Sequence, residues 1–258
     1  MIDAVDLSEY PMLADLRRQA VCLQALAARY PVFANLGSAR LAAREHIVAF
    51  GSGDGWFAAR AAADYARFDL GLPYEAASSL ETLAYVGPRH AHRNLAGVAI
   101  SMSGSADRTN EAAEALRLNG KPVLALTNGD GGALAKITGE KLSLDIRDLA
   151  PFLTGTTKYT ATLLGLIMLL EGAARVHAVD WSAQLAALPG MLTEVEPFAR
   201  ELAKRYTGRP PSGVRILSAG PNLATAEYGM AKFIKLLPIP VWADETEEFD
   251  ELDRKSVV

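Results

Sequence analysis

The chain predicts an α/β fold, a parallel sheet with helices on both faces, followed by a shortened second unit of the same kind. Three observations lead there. Short runs of apolar residues are continuous rather than alternating, as expected of strands buried on both sides. Amphipathic helical patterns separate those runs, which is the order of a parallel sheet built by crossover helices. Turns rich in glycine and serine follow the runs, at the strand ends where such sheets hold ligands.

The elements can be taken in order. Residues 1–43 read as an N-terminal helical segment and 44–176 as the first α/β unit. The main apolar runs are 47–50, 95–100, 123–126 and 214–217, with shorter ones at 142–146 and 239–242. Helical patterns cover 56–70, 107–118, 158–175, roughly 181–206, and 224–236. The stretch 177–212 reads as a linker helix ending in ArgProProSer, and 213–258 as a partial second unit. An internal repeat supports two related halves. The run 47–50, GlySerGlyAspGly, a helix and LeuGlyLeuProTyr are matched by 214–217, SerAlaGlyProAsn, a helix and LeuProIleProVal. That register sets Gly53 against Gly220, Pro73 against Pro240 and Glu81 against Glu248.

Composition narrows the function classes. With 258 residues, 50% of them hydrophobic, the chain buries a sizeable core, and a net charge of -4 argues against disorder and against a nucleic-acid partner. One cysteine, Cys22, excludes an intramolecular disulfide; its apolar neighbours at helical spacing assign it to packing. Asp3, Asp6 and Glu9 stand where a signal peptide carries positive charge, and no apolar run reaches about 18 residues, so a cytoplasmic protein without a membrane partner is expected. His90 and His92 fall in a loop between Pro88 and Leu95, and no metal site is expected of that pair.

The loop SerMetSerGlySer at 101–105 carries most of the chemistry. It follows an apolar strand and precedes the helical pattern 107–118, so its hydroxyls and amides gather at a helix N-terminus, the arrangement that holds a phosphate. Taken alone, Ser101, Ser103 and Ser105 also suit turn and N-cap positions, Gly51, Gly53 and Gly55 suit turns, and Glu248 and Lys158 suit a solvated surface. Thr127, Asn128 and Gly129 end the 123–126 run and are explained equally by a site or by a turn. A dinucleotide loop is a poor match for GlySerGlyAspGly, because Trp56 stands where that spacing needs glycine.

Together, SerMetSerGlySer at 101–105, GlySerGlyAsp at 51–54 and ThrGlyThrThrLysTyrThrAlaThr at 154–162 resemble the sugar isomerase (SIS) domain. The resemblance covers 44–175 and the opening of a second such domain at 215–251, and it implies a flavodoxin-like three-layer fold. It implies a phosphosugar ligand held by Gly51, Ser52, Gly53, Ser101, Met102, Ser103 and Ser105, with Thr156, Thr157 and Lys158 beside the sugar and Glu248 as the catalytic base. The activity implied is ketose/aldose phosphosugar isomerisation or aminosugar-phosphate isomerisation and deamination through an enediol, without cofactor or metal, in a homodimer whose site lies at or near the subunit interface. A sensor that binds a phosphosugar without turnover is the alternative.

Departures from the family pattern are specific. Ala106 replaces a usual threonine, with Ser105 or Thr109 as a substitute hydroxyl, and Gly53 replaces a usual serine. Each missing neutral hydrogen bond costs roughly 0.5–1.5 kcal/mol. Asp250 and Glu251 stand where a histidine is usual, and no histidine follows His177. The second unit, ending at Val258, is expected to be either shortened or degenerate.

Overall fold

A computed structural model describes residues 10–150, 155–175, 182–206 and 211–254. Two helices, α1 (Pro11–Ala27) and α2 (Tyr30–Arg40), lead into strand β1 (His46–Gly51). Helix α3 (Asp54–Ala61) and a π-helical turn (Tyr65–Asp69) connect β1 to β2 (Tyr74–Ser78). A composite helical stretch follows: α4 (Ser79–Glu81), a second π-helical turn (Thr82–Val86) and α5 (Gly87–Arg89). Next come β3 (Leu95–Ile100), α6 (Asp107–Leu118), β4 (Val123–Thr127), α7 (Gly132–Thr138) and β5 (Lys141–Ser143). Helices α8 (Thr157–Ala174) and α9 (Ser182–Lys204) precede a last group of β6 (Val214–Ser218), α10 (Asn222–Leu236), β7 (Val241–Glu245) and α11 (Thr246–Arg254).

The five strands of the first sheet are parallel and run in the order β2-β1-β3-β4-β5. Alternate residues feed two cores, which makes the three layers. Ile47, Ala49, Val98, Ile100, Leu124 and Leu126 join Leu26, Phe33, Leu166 and Met168 in one buried cluster. Val48, Phe50, Ala99, Val123 and Ala125 join Ala112, Leu116 and Leu134 in the other. Among the described residues no helix is long and apolar enough to cross a membrane.

The repeat holds at residue level. Parallel pairing of β1 with β2 runs from Ile47↔Tyr74 to Gly51↔Ser78, and that of β6 with β7 from Val214↔Val241 to Ser218↔Glu245. Gly53 and Gly220 both adopt positive φ, at 58° and 56°, in the turn after the first strand of each unit. The equivalent positions Ser78 and Glu245 both cap the next helix: Ser78 Oγ accepts from the Glu81 amide, while Glu245 Oε2 accepts from the amides of Glu247 and Glu248. Pairing of the described residues in the second sheet is limited to β6 with β7.

Several boundaries differ from those read in the sequence. The 142–146 run is strand only over Lys141–Ser143, because Asp145 takes a left-handed conformation (φ 57°) and its amide bonds back to Ser143 Oγ. The 239–242 run becomes Val241–Glu245, since Pro238 and Pro240 cannot donate to a ladder. The 56–70 pattern is a helix and a π-helical turn rather than one helix. The 181–206 pattern forms α9, which accommodates Pro189 and Pro197 within it.

Candidate functional site

The strand order reverses direction between β1 and β3, whose connections leave to opposite sides of the sheet and open a crevice at their C-terminal ends. Two loops line that crevice, 51–53 from β1 and 101–106 from β3. Both lead into helices with no side-chain cap at the N-terminus, α3 after Gly53 and α6 after Ala106, so first-turn amides of both helices point outward unpaired by their own helix. Two uncapped N-termini beside one crevice favour an anion.

The β3 loop is built as a tight cradle. Ser101 is buried, and both its carbonyl oxygen (3.1 Å) and its Oγ (3.2 Å) accept from the Gly104 amide. Gly104 has φ 64°, and a Cβ there would lie 1.7 Å from the carbonyl oxygen of Gly131, so glycine alone fits. The Leu134 amide donates to the Gly104 carbonyl, tying the loop to α7. Ser103 and Ser105 remain exposed, with Ser105 Oγ donating to Ser103 Oγ at 2.8 Å. Met102 turns inward instead, its sulfur 3.5 Å from Thr162 Oγ1 and its carbonyl accepting from the Asn128 amide.

Across the crevice Gly51 is buried and Ser52 exposed. Ser52 Oγ donates to Ser79 Oγ at 3.2 Å, and Ser79 Oγ lies 2.8 Å from Thr109 Oγ1. Ser79 and Thr109 are fully buried, so the hydroxyl of Thr109 supports Ser52 from beneath rather than facing the crevice itself. Asn128 is structural: its side chain exchanges two 2.7 Å bonds with the backbone of Ile146.

The start of α8 is occupied by the protein's own carboxylate. Asp15, buried on α1, accepts from the amides of Thr156 (2.8 Å) and Thr157 (3.0 Å), and its carbonyl accepts from Thr157 Oγ1. Burial pushes the Asp15 pKa up, but the amides of Thr157 and Thr156 and the Arg18 guanidinium outweigh it and hold the carboxyl below its usual value. Thr156 Oγ1 donates to Gln19, and Lys158 pairs with Asp148. The hydroxyl of Thr157 thus serves the α1 contact; the half-buried Lys158 is the charged member of this segment. Thr154 lies outside the described residues.

Helix α10 packs against α3 and α8. Tyr228 stacks on Tyr159 with ring centroids 3.8 Å apart, Lys232 bonds Asp54 at 2.8 Å, and Glu227 pairs with Arg60. Glu248 is exposed in the first turn of α11, its amide bonded to Glu245. Sequence reasoning did not single out Asp15, Ser79 or the Asp54–Lys232 pair. Asp15 alone left a visible trace, an acidic residue on the stripe that buries Ala20, Leu23 and Leu26.

The sheet order, the two loops at the switch point and the β6–β7 strand pair together form an α/β fold whose main sheet is five-stranded and parallel. No protein-family model matches the chain, and no curated protein does. Solved structures do. The tagatose-6-phosphate ketose/aldose isomerase of Escherichia coli is 16% identical, with a TM-score of 0.78 over 97% of this chain and 70% of that one. The C-terminal domain of glucosamine-fructose-6-phosphate aminotransferase from Francisella tularensis is 13% identical, with a TM-score of 0.74 over 94% and 72%. The glucosamine-6-phosphate deaminase of Thermotoga maritima is 15% identical, with a TM-score of 0.71 over 96% and 74%.

Proposed function

We propose that the chain binds a phosphosugar in the β1/β3 crevice and acts as a ketose/aldose phosphosugar isomerase or an aminosugar-phosphate isomerase/deaminase. The observation that carries the reading is the exposed Ser103–Ser105 hydroxyl pair at the uncapped start of α6, together with the exposed Ser52 at the uncapped start of α3. Hydroxyls supply donors to phosphate oxygens, and the helix termini supply positive potential without a full cation. Gly51, Gly53, Ser101 and Met102 shape the loops; at the start of α8, Thr156 and Thr157 are held by Asp15 and Gln19, which leaves Lys158 to border the sugar.

Isomerisation removes a proton from the carbon next to the carbonyl and returns it to the neighbouring carbon, with an acid protonating the oxygen as the enediol forms. Glu248 is our candidate base, in a homodimer whose site lies at or near the subunit interface. No cofactor is assigned to this reaction. The two-unit division, with boundaries near 44, 177 and 213, is part of the same reading.

The test is exchange of the C2 proton of 6-phosphosugars with deuterated solvent. Exchange with at least one sugar, abolished in Glu248→Gln while binding persists, supports the isomerase. Binding without exchange of any sugar assigns the chain to the alternative, a phosphosugar sensor, and full exchange in Glu248→Gln removes Glu248 as the base.

A further inference from the structure

At the end of the sheet away from the crevice, three side chains from separate segments converge. His46 opens β1, Glu75 lies near the start of the edge strand β2, and His90 follows α5 on the way into β3. His46 Nε2 lies 2.8 Å from Glu75 Oε2, and His90 Nε2 lies 3.7 Å from the same oxygen. The imidazole rings face each other with centroids 4.1 Å apart, and one potential ligand atom from each residue falls within 4.8 Å of the other two. Both histidine side chains are only 12% exposed, and Glu75 is 28% exposed. His90 Nδ1 is buried with no hydrogen-bond partner.

We propose that His46, Glu75 and His90 bind one divalent transition-metal ion of the zinc type. Two imidazoles and one carboxylate form a donor set suited to zinc and its neighbours and poorly suited to magnesium or calcium, which take oxygen ligands. Tetrahedral coordination at zinc places ligand atoms about 3.3 Å apart. The 2.8 Å and 3.7 Å spacings to Glu75 bracket that value. Three protein ligands leave a fourth position for water. Following β1 at about 3.3 Å per residue puts this site roughly 16 Å from the crevice loops. It therefore acts as a staple joining β1, the edge strand β2 and the entry to β3, and takes no part in chemistry at the crevice.

His92, the sequence neighbour of His90, is not among the converging groups. It supplies an internal control, because a surface histidine that binds zinc adventitiously is removed by a different substitution.

The experiment is calorimetric titration of metal-free full-length protein with zinc at pH 7.5, alongside His46→Gln, His90→Gln and His92→Gln. One equivalent is expected to bind, weakened by about tenfold or more in His46→Gln and His90→Gln and unchanged in His92→Gln. The melting midpoint of the unaltered protein is expected to rise by several degrees with saturating zinc and not with magnesium. If a variant fails to fold, diethyl pyrocarbonate footprinting of the unaltered protein gives the answer: zinc shields His46 and His90 and leaves His92 reactive. No saturable binding, equal affinity in all the variants, or shielding confined to His92 would overturn the proposal.

Discussion

Gly104 and Gly53 both sit at positive φ, yet their surroundings differ. A Cβ at Gly53 meets nothing within 4 Å, whereas at Gly104 it collides with the Gly131 carbonyl. Gly53→Ala is therefore expected to cost about 1–2 kcal/mol, the backbone penalty of its φ 58°, ψ -126° conformation alone. Gly104→Ala should cost roughly 3 kcal/mol or more, because overpacking adds to that penalty. Urea denaturation of the two variants measures the difference, and equal costs would contradict the close approach. Asp15 makes a second residue-scale prediction. Its folded pKa is depressed, so its contribution is fully present above about pH 4, the ordinary aspartate value, and is lost as pH falls through the lower folded value. Asp15→Asn should cost about 2 kcal/mol at pH 7, with the gap from the unaltered protein narrowing below pH 4. A gap independent of pH would show that the charge on Asp15 does not stabilise α8. The Ser101 loop was legible in the sequence because strand, small hydroxyls, glycine and helix are contiguous. The engagement of Thr157 by Asp15 was not, since a contact between α1 and α8 leaves no local pattern at either end.

Helix α10 follows β6 and packs against α3, which follows β1. Its Lys232 side chain is 10% exposed and its partner Asp54 27% exposed. Removing the carboxylate strands a buried ammonium, while removing the ammonium leaves a carboxylate that water can reach. Asp54→Ala is expected to destabilise by about 2 kcal/mol and Lys232→Met by distinctly less. Chemical denaturation that ranked them the other way would show that the pair does not hold α10 in place. Most elements were readable in the sequence from period and length: α6 and β3 coincide with their patterns. Strand β2 was visible only through the repeat, because TyrGluAlaAlaSer is half-polar and lies at the sheet edge. Strand β5 was overcalled because burial of Leu144 and Ile146 produces the same apolar run as a strand.

At the scale of the whole molecule, the sheet order places the loops after β1 and β3 at the C-terminal strand ends, and the histidine cluster at the other end. The two crevice loops were legible in the sequence from the glycines and serines that follow apolar runs; the cluster was not, because His46, Glu75 and His90 are far apart in sequence and meet only in the folded chain. The central claim is that the Ser101 to Ser105 cradle holds the phosphate of a sugar. Calorimetric titration of 6-phosphosugars into the unaltered protein and into Ser103→Ala tests it most directly. The account predicts saturable binding of at least one phosphosugar, weakened by up to about tenfold in Ser103→Ala through loss of one hydroxyl contact. Failure of every 6-phosphosugar to bind, or equal affinity in the two proteins, would contradict it.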